Sequence, residues 1–166
     1  EAYSSSGNFQ LALDNIKQYY QLSDKTIADK IFYLEGLYRA QSYCEATKFS
    51  RDVMNTEQLS PDQKLEVTGV LGFSEANCGD SVEALKYLRT WFRLQNPSKI
   101  LPEAYIELGK LYMKLDMLDS AGIFYGKGIA GDTARNKTDI YRTIAEAYSK
   151  KKDYCKSAEW YNNIIK

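Results

Sequence analysis

A small residue heading an apolar helical face recurs along this chain at Ala12, Ala46, Ala84, Ala121 and Ser157, at intervals of 34, 38, 37 and 36 residues. A period near that length, held over 166 residues, constrains the fold more than any single motif. The clearest copy runs from Pro102 to Ile129. Tyr105, Leu108, Tyr112 and Leu115 share one helical face at steps of three and four. Gly109 on that face has no side chain, so a second helix approaches closely there. Asp116 is the expected cap of that second helix, with Asp119 in its first turn, and Ala121, Phe124 and Tyr125 face inward. Two short antiparallel helices follow. Such a hairpin cannot bury its outer faces alone and needs neighbours of its own kind.

The spacing aromatic-x2-Leu-Gly-x2-Tyr at Tyr105, Leu108, Gly109 and Tyr112, with Ala-x3-aromatic at Ala121 and Tyr125, resembles the tetratricopeptide repeat family, with Tyr in place of its usual first Trp. The resemblance covers nearly the whole chain. It implies an all-α, right-handed superhelical solenoid of antiparallel helix hairpins. It also implies a concave groove, lined by the first helix of each hairpin, in which a peptide or helix of a protein partner lies. Carrying the family register across places Phe73 and Ala76, then Ile106, Lys110 and Met113, then Arg142, Glu146 and Ser149 on that groove. The lining mixes apolar anchors with charge. The competing reading makes these residues ordinary exposed positions, or contacts to further repeats of a longer protein. The Asn residues of the family's carboxylate clamp are absent around Glu107, Lys110, Arg142, Thr143 and Glu146, so binding of a chaperone tail is not expected.

Taken in order, residues 1–22 read as a partial repeat, with Ala2-Tyr3 as a helix stub and Gly7-Asn8-Phe9 as the turn before a second helix. Ser23 reads as an N-cap for a helix over about 24–40 carrying Ile27, Ile31, Leu34 and Leu37. Leu37 and Tyr38 compete there for the aromatic slot, and Ala46, Phe49 and Val53 line the next helix. Ser60-Pro61-Asp62-Gln63 is a helix start with a capping box, Leu71-Gly72 matches the Leu-Gly pair, and Cys78-Gly79-Asp80 is the following turn. Glu75 occupies an aromatic position. Gly126, Gly128 and Gly131 weaken and stop the helix after Ala121. A polar loop runs from Asp132 to Lys137. The last repeat carries Tyr141, Ile144, Ala145 and Tyr148, a turn at Asp153-Tyr154, then Ser157, Tyr161, Ile164 and Ile165. The expectation is nine helices and no strand. One solenoid over 1–166 is divided into repeats at 23–58, 60–96, 101–131 and 137–166, and the whole reads as a segment of a longer protein.

No histidine is present, which removes the commonest general base, the commonest metal ligand and every Ser-His or Cys-His arrangement. With 22 basic and 22 acidic residues, bulk charge does not favour nucleic acid. No apolar run reaches the length of a membrane span. Gly126-Lys127-Gly128-Ile129-Ala130-Gly131 carries the letters of a dinucleotide fingerprint, but it closes a helix instead of following a strand. Lys150-Lys151-Lys152 reads as a solvated helix end or a dock for an acidic partner. Asn136-Lys137-Thr138 fits a glycosylation sequon. Cys44, Cys78 and Cys155 lack paired metal spacing and are expected as free thiols. No catalytic residue, metal or cofactor is assigned. The reading is a non-catalytic protein-interaction scaffold. The alternative is a self-associating segment, or a regulatory arm of a larger protein. Asn96-Pro97-Ser98 before Pro102-Glu103-Ala104-Tyr105, with the loosened period, is similar to bacterial cell-envelope members of the family, which points to the periplasm or envelope over the cytoplasm.

Overall fold

A computed structural model describes residues 5–131 and 137–165. The Ala2-Tyr3 stub, the loop to Asn136 with its sequon, and the Ile165 side chain lie outside the described residues. The elements are α1 Ser5–Leu22, α2 Ile27–Arg39, α3 Tyr43–Thr56, α4 Pro61–Cys78, α5 Ser81–Leu94, a 3-10 turn Pro97–Lys99, α6 Pro102–Lys114, α7 Leu118–Gly131, α8 Lys137–Lys150 and α9 Tyr154–Ile165. Among the described residues there is no strand. The chain divides into two compact units, Glu1–Gln95 and Asn96–Lys166.

One register governs the hairpins. Leu37, Glu75, Tyr112 and Tyr148 each precede a buried small residue, Ala46, Ala84, Ala121 or Ser157, by nine positions. After three of them the turn is identical. The N–H groups of Ser42, Met117 and Asp153 donate back to the carbonyls of Leu37, Tyr112 and Tyr148, at 2.9, 2.9 and 3.0 Å. The residue before each, Gln41, Asp116 and Lys152, has φ of 58, 59 and 63°. These three-turn closures satisfy carbonyls that a helix end otherwise leaves unpaired. Leu37 therefore takes the slot that Tyr38 contested. Asp116 is a turn residue in the left-handed region, not the cap of α7.

The fourth turn is made by chemistry instead. At Glu75 the matching N–H, that of Asp80, donates to the Glu75 carboxylate at 2.9 Å. Glu75 is buried and touches the α-carbon side of Gly79, where any β-carbon would lie 2.1 Å from Glu75 Oε1. The acid in an aromatic position is thus a turn-closing group. Asp80 then caps α5 through Val82 and Glu83.

In the first unit, α1 is one unbroken helix through Gly7-Asn8-Phe9, so the turn expected there does not form. Ala12 is exposed, and α1 instead packs Leu13, Ile16 and Tyr20 against Tyr33, Leu37 and Ala46. Ile16 seats on Gly36, where a β-carbon would lie 2.3 Å away. Ser23 does not cap α2. Its hydroxyl donates to the Tyr20 carbonyl at the end of α1, and Thr26 with Asp29 forms the capping box. Where the other hairpins carry Gly72, Gly109 and Ala145, α2 carries buried Leu34, which holds α2 and α3 apart; Ile31, Leu34, Val53 and Val67 form the core between α2, α3 and α4. Ser60 and Gln63 form the expected box at α4, and Gly72 admits Leu88 of α5.

The cysteines depart most from expectation. Cys44 and Cys78 are bonded, with Cα atoms 5.1 Å apart, and Cys155 is free and exposed. The antiparallel α3 and α4 bring the start of one helix to the end of the other. A separation of 34 residues, one repeat, therefore closes to bonding distance.

In the second unit, Gly109 lies against the Tyr125 ring, with a would-be β-carbon 2.9 Å from Cγ. Burial, then the charge of Glu107, pushes the Tyr125 phenol up to about 12. Helix α7 runs through Gly126 and Gly128 to Gly131. Gly128 is buried against Ile106, so it serves close packing and does not stop the helix. The α8–α9 hairpin meets α6–α7 through Trp160 against Gly122 and through a polar clamp. Asp119 accepts from Tyr148 Oη at 2.8 Å and from Lys156 Nζ at 2.6 Å, and Lys151 pairs with Asp116 at 2.7 Å. The hydrogen bond from Lys156, then that from Tyr148, holds the Asp119 carboxyl below its usual range. Ser157 donates to the Ala145 carbonyl at 2.8 Å, which explains a hydroxyl where its counterparts are Ala. Tyr161 on α9 is exposed.

Candidate interaction surface

The residues expected on a groove divide into two kinds. Phe73 on α4 is half-buried in an aromatic group of the first unit: its ring centroid lies 5.4 Å from Trp91, 6.4 Å from Phe92 and 6.3 Å from Tyr38. It joins α2, α4 and α5 and is as much packing as surface. Ala76 is half-buried beside it on α4. Ile106 on α6 is half-buried and turned to α7, with Cγ1 2.6 Å from the position of a Gly128 β-carbon.

Lys110, Arg142 and Glu146 are exposed and Met113 is half-buried. The two cations are pre-positioned by acids on their own helices. Lys110 Nζ lies 2.6 Å from Glu107 Oε1, and Arg142 Nη1 lies 3.3 Å from Asp139 Oδ1. Thr143 spends its hydroxyl on the Asp139 carbonyl at 2.7 Å. No described hydrogen bond, ion pair or ring contact joins Ile106, Lys110 and Met113 on α6 to Arg142 and Glu146 on α8. What the second unit offers on these helices is charged, solvated and locally held. Exposed ion pairs of this kind contribute little to stability, so they are available to a partner at small cost.

Sequence reasoning missed a second charged feature, on the first unit. Burial, then repulsion and hydrogen bonding from Glu35 of α2, raises the Glu66 carboxyl of α4 above its usual range. Glu35 also pairs with Arg39 at 3.7 Å. The helix-to-helix pairing of the two acids carries no signal in a one-dimensional pattern. Arg51 is likewise shared, 2.7 Å from Glu83 and 3.2 Å from Glu75. Glu75 Oε2 meets it as an ion pair without an aligned hydrogen bond. No group of three or more His, Cys, Asp or Glu side chains able to hold a metal exists among the described residues. No helix among them is long and apolar enough to cross a membrane.

Helix hairpins in a common register define an all-α, tetratricopeptide-like fold. Solved structures agree. The chain is similar to the crystal structure of MamA, with a TM-score of 0.66 and 17% identity, covering 97% of this chain and 89% of that one. It is also similar to the structure titled MamA MSR-1 C2, with a TM-score of 0.67 and 16% identity, covering 96% and 87%. At such identities the likeness defines the fold. No protein-family model matches the chain, and no curated protein matches it.

Proposed function

We propose that the chain is a non-catalytic tetratricopeptide repeat scaffold that binds a protein partner through the exposed charged positions of α6 and α8. The observation that carries this reading is the fold itself, a set of helix hairpins in which Lys110 and Arg142 are exposed and held by acids on their own helices. A fold hosts many functions, so the partner is a matter for experiment. The disulfide supports an oxidising compartment, in keeping with a bacterial periplasm or envelope.

The test compares capture by the wild type with capture by a K110E/R142E/E146K variant, each verified by circular dichroism. Ile106 is left untouched because its packing against Gly128 would confound the result. A partner held by the wild type and lost by the variant supports the reading. A partner held equally by both removes α6 and α8 from the site. If the only species captured is a second copy of the chain, the self-associating segment is the correct account. The exposed Leu22 and Tyr154, 80% and 65% accessible, are then the first places to map.

A further inference from the structure

We propose that the Cys44–Cys78 disulfide is a redox-controlled lock on the seam between α3 and α4. The bond joins the second residue of α3 to the last residue of α4. The Arg51–Glu75 pair fixes the same antiparallel register further along. Near these ties the two helices bury polar groups, while Val53 of α3 and Val67 of α4, with Phe49 and Val70, form an apolar core at the far end of the seam. Thr47 and Ser50 on α3, and Ser74 and Glu75 on α4, are all more than nine-tenths buried. The three hydroxyls have no hydrogen-bond partner among the described residues. A buried polar group without a partner is costly, so closure here is opposed by every hydroxyl it covers. The covalent bond therefore decides whether the start of α3 and the end of α4 stay together.

Its chemistry is accessible. Cys44 is exposed and Cys78 half-buried. A thiolate of a dithiol reductant attacks Cys44 Sγ and forms a mixed disulfide, and the Cys78 sulfur leaves and takes up a proton. The reductant's second thiol then attacks its own sulfur in that mixed disulfide and releases Cys44, which is protonated in turn. Two electrons and two protons reach the cysteines, and the dithiol becomes a disulfide. With the lock open, the start of α3 and the end of α4 part and the hydroxyls there meet water.

The experiment is native-state hydrogen exchange on the full chain carrying C155S, oxidised and then reduced with dithiothreitol, with the thiol count verified by mass. Reduction is expected to raise exchange in the first half of α3 and the last turns of α4 by at least about tenfold while α6 and α7 do not change. Unchanged exchange in fully reduced protein overturns the proposal. So does loss of protection spread evenly over α1 to α5, which would make the bond a staple of the whole unit. A T47V/S50A/S74A variant tests the cause. With the hydroxyls gone, reduction should no longer open the seam, and a wild-type response in that variant also overturns it.

Discussion

Two glycines in one hairpin separate the packing argument from simple helix propensity. Gly109 and Gly126 both lie inside helices, α6 and α7, and neither has positive φ. Replacing either with Ala gains about 1 kcal/mol of helix propensity. At Gly126 nothing lies within 4 Å of the new β-carbon, so the gain is kept and Gly126→Ala is stabilising. At Gly109 the new carbon would lie 2.9 to 3.1 Å from Cγ, Cδ1 and Cδ2 of Tyr125. That ring is 4% exposed, and the crowded atoms are at its rooted end, so it cannot swing clear. Overpacking of this kind costs about 1–3 kcal/mol. The two variants should therefore differ by that amount, with propensity cancelling between them. For a unit of about 70 residues the unfolding entropy is on the order of 150 cal/mol/K, so the midpoints separate by about 7–20 °C. Thermal unfolding followed by Trp160 fluorescence in a W91F background reads the second unit alone, since the chain has two Trp. Equal midpoints, or a more stable G109A, would refute the close approach of α6 to α7.

Other outcomes follow from the same contacts. Tyr112→Ala removes a buried ring stacked 5.2 Å from Phe124 and should cost about 3–5 kcal/mol by urea unfolding. Thr26→Ala removes the α2 capping box and should cost about 1 kcal/mol, read as faster exchange of the first α2 amides. The depressed Asp119 carboxyl contributes stability above its ordinary range and loses it as pH falls through its folded value. Protection of α8 and α9 should therefore decline below about pH 4, and D119N should flatten that decline. The raised Glu66 carboxyl has the opposite sign. It destabilises the first unit as pH rises past the ordinary carboxyl value, so E66Q should stabilise at neutral pH and lose its advantage in acid.

The periodic part of the fold was legible because it is written in local chemistry. Ser60, Pro61 and Gln63 announce α4 within four residues, and Gly109 opposite Tyr125 is a pattern of size and spacing. Where residues act across the chain, the sequence was silent. Cys44 and Cys78 looked unrelated because the antiparallel crossing of α3 and α4, not sequence distance, joins them. Gly7-Asn8-Phe9 has turn letters, yet α1 continues through it because Ile16 and Tyr20 find α2 further down the same helix. Thr26 displaced Ser23 as a cap through a reciprocal bond with Asp29. On the surface, Lys110, Arg142 and Glu146 are exposed, while the packing of Ile106 on Gly128 carries no signal in the sequence, where glycine near a helix end reads as a stop.

The most direct test of the scaffold account is a hydrogen-exchange footprint of the complex isolated with its captured partner. The account predicts added protection on the solvent-facing amides of α6 and α8, around Lys110, Arg142 and Glu146. Protection confined to other helices, with α6 and α8 exchanging as in the free chain, would contradict it.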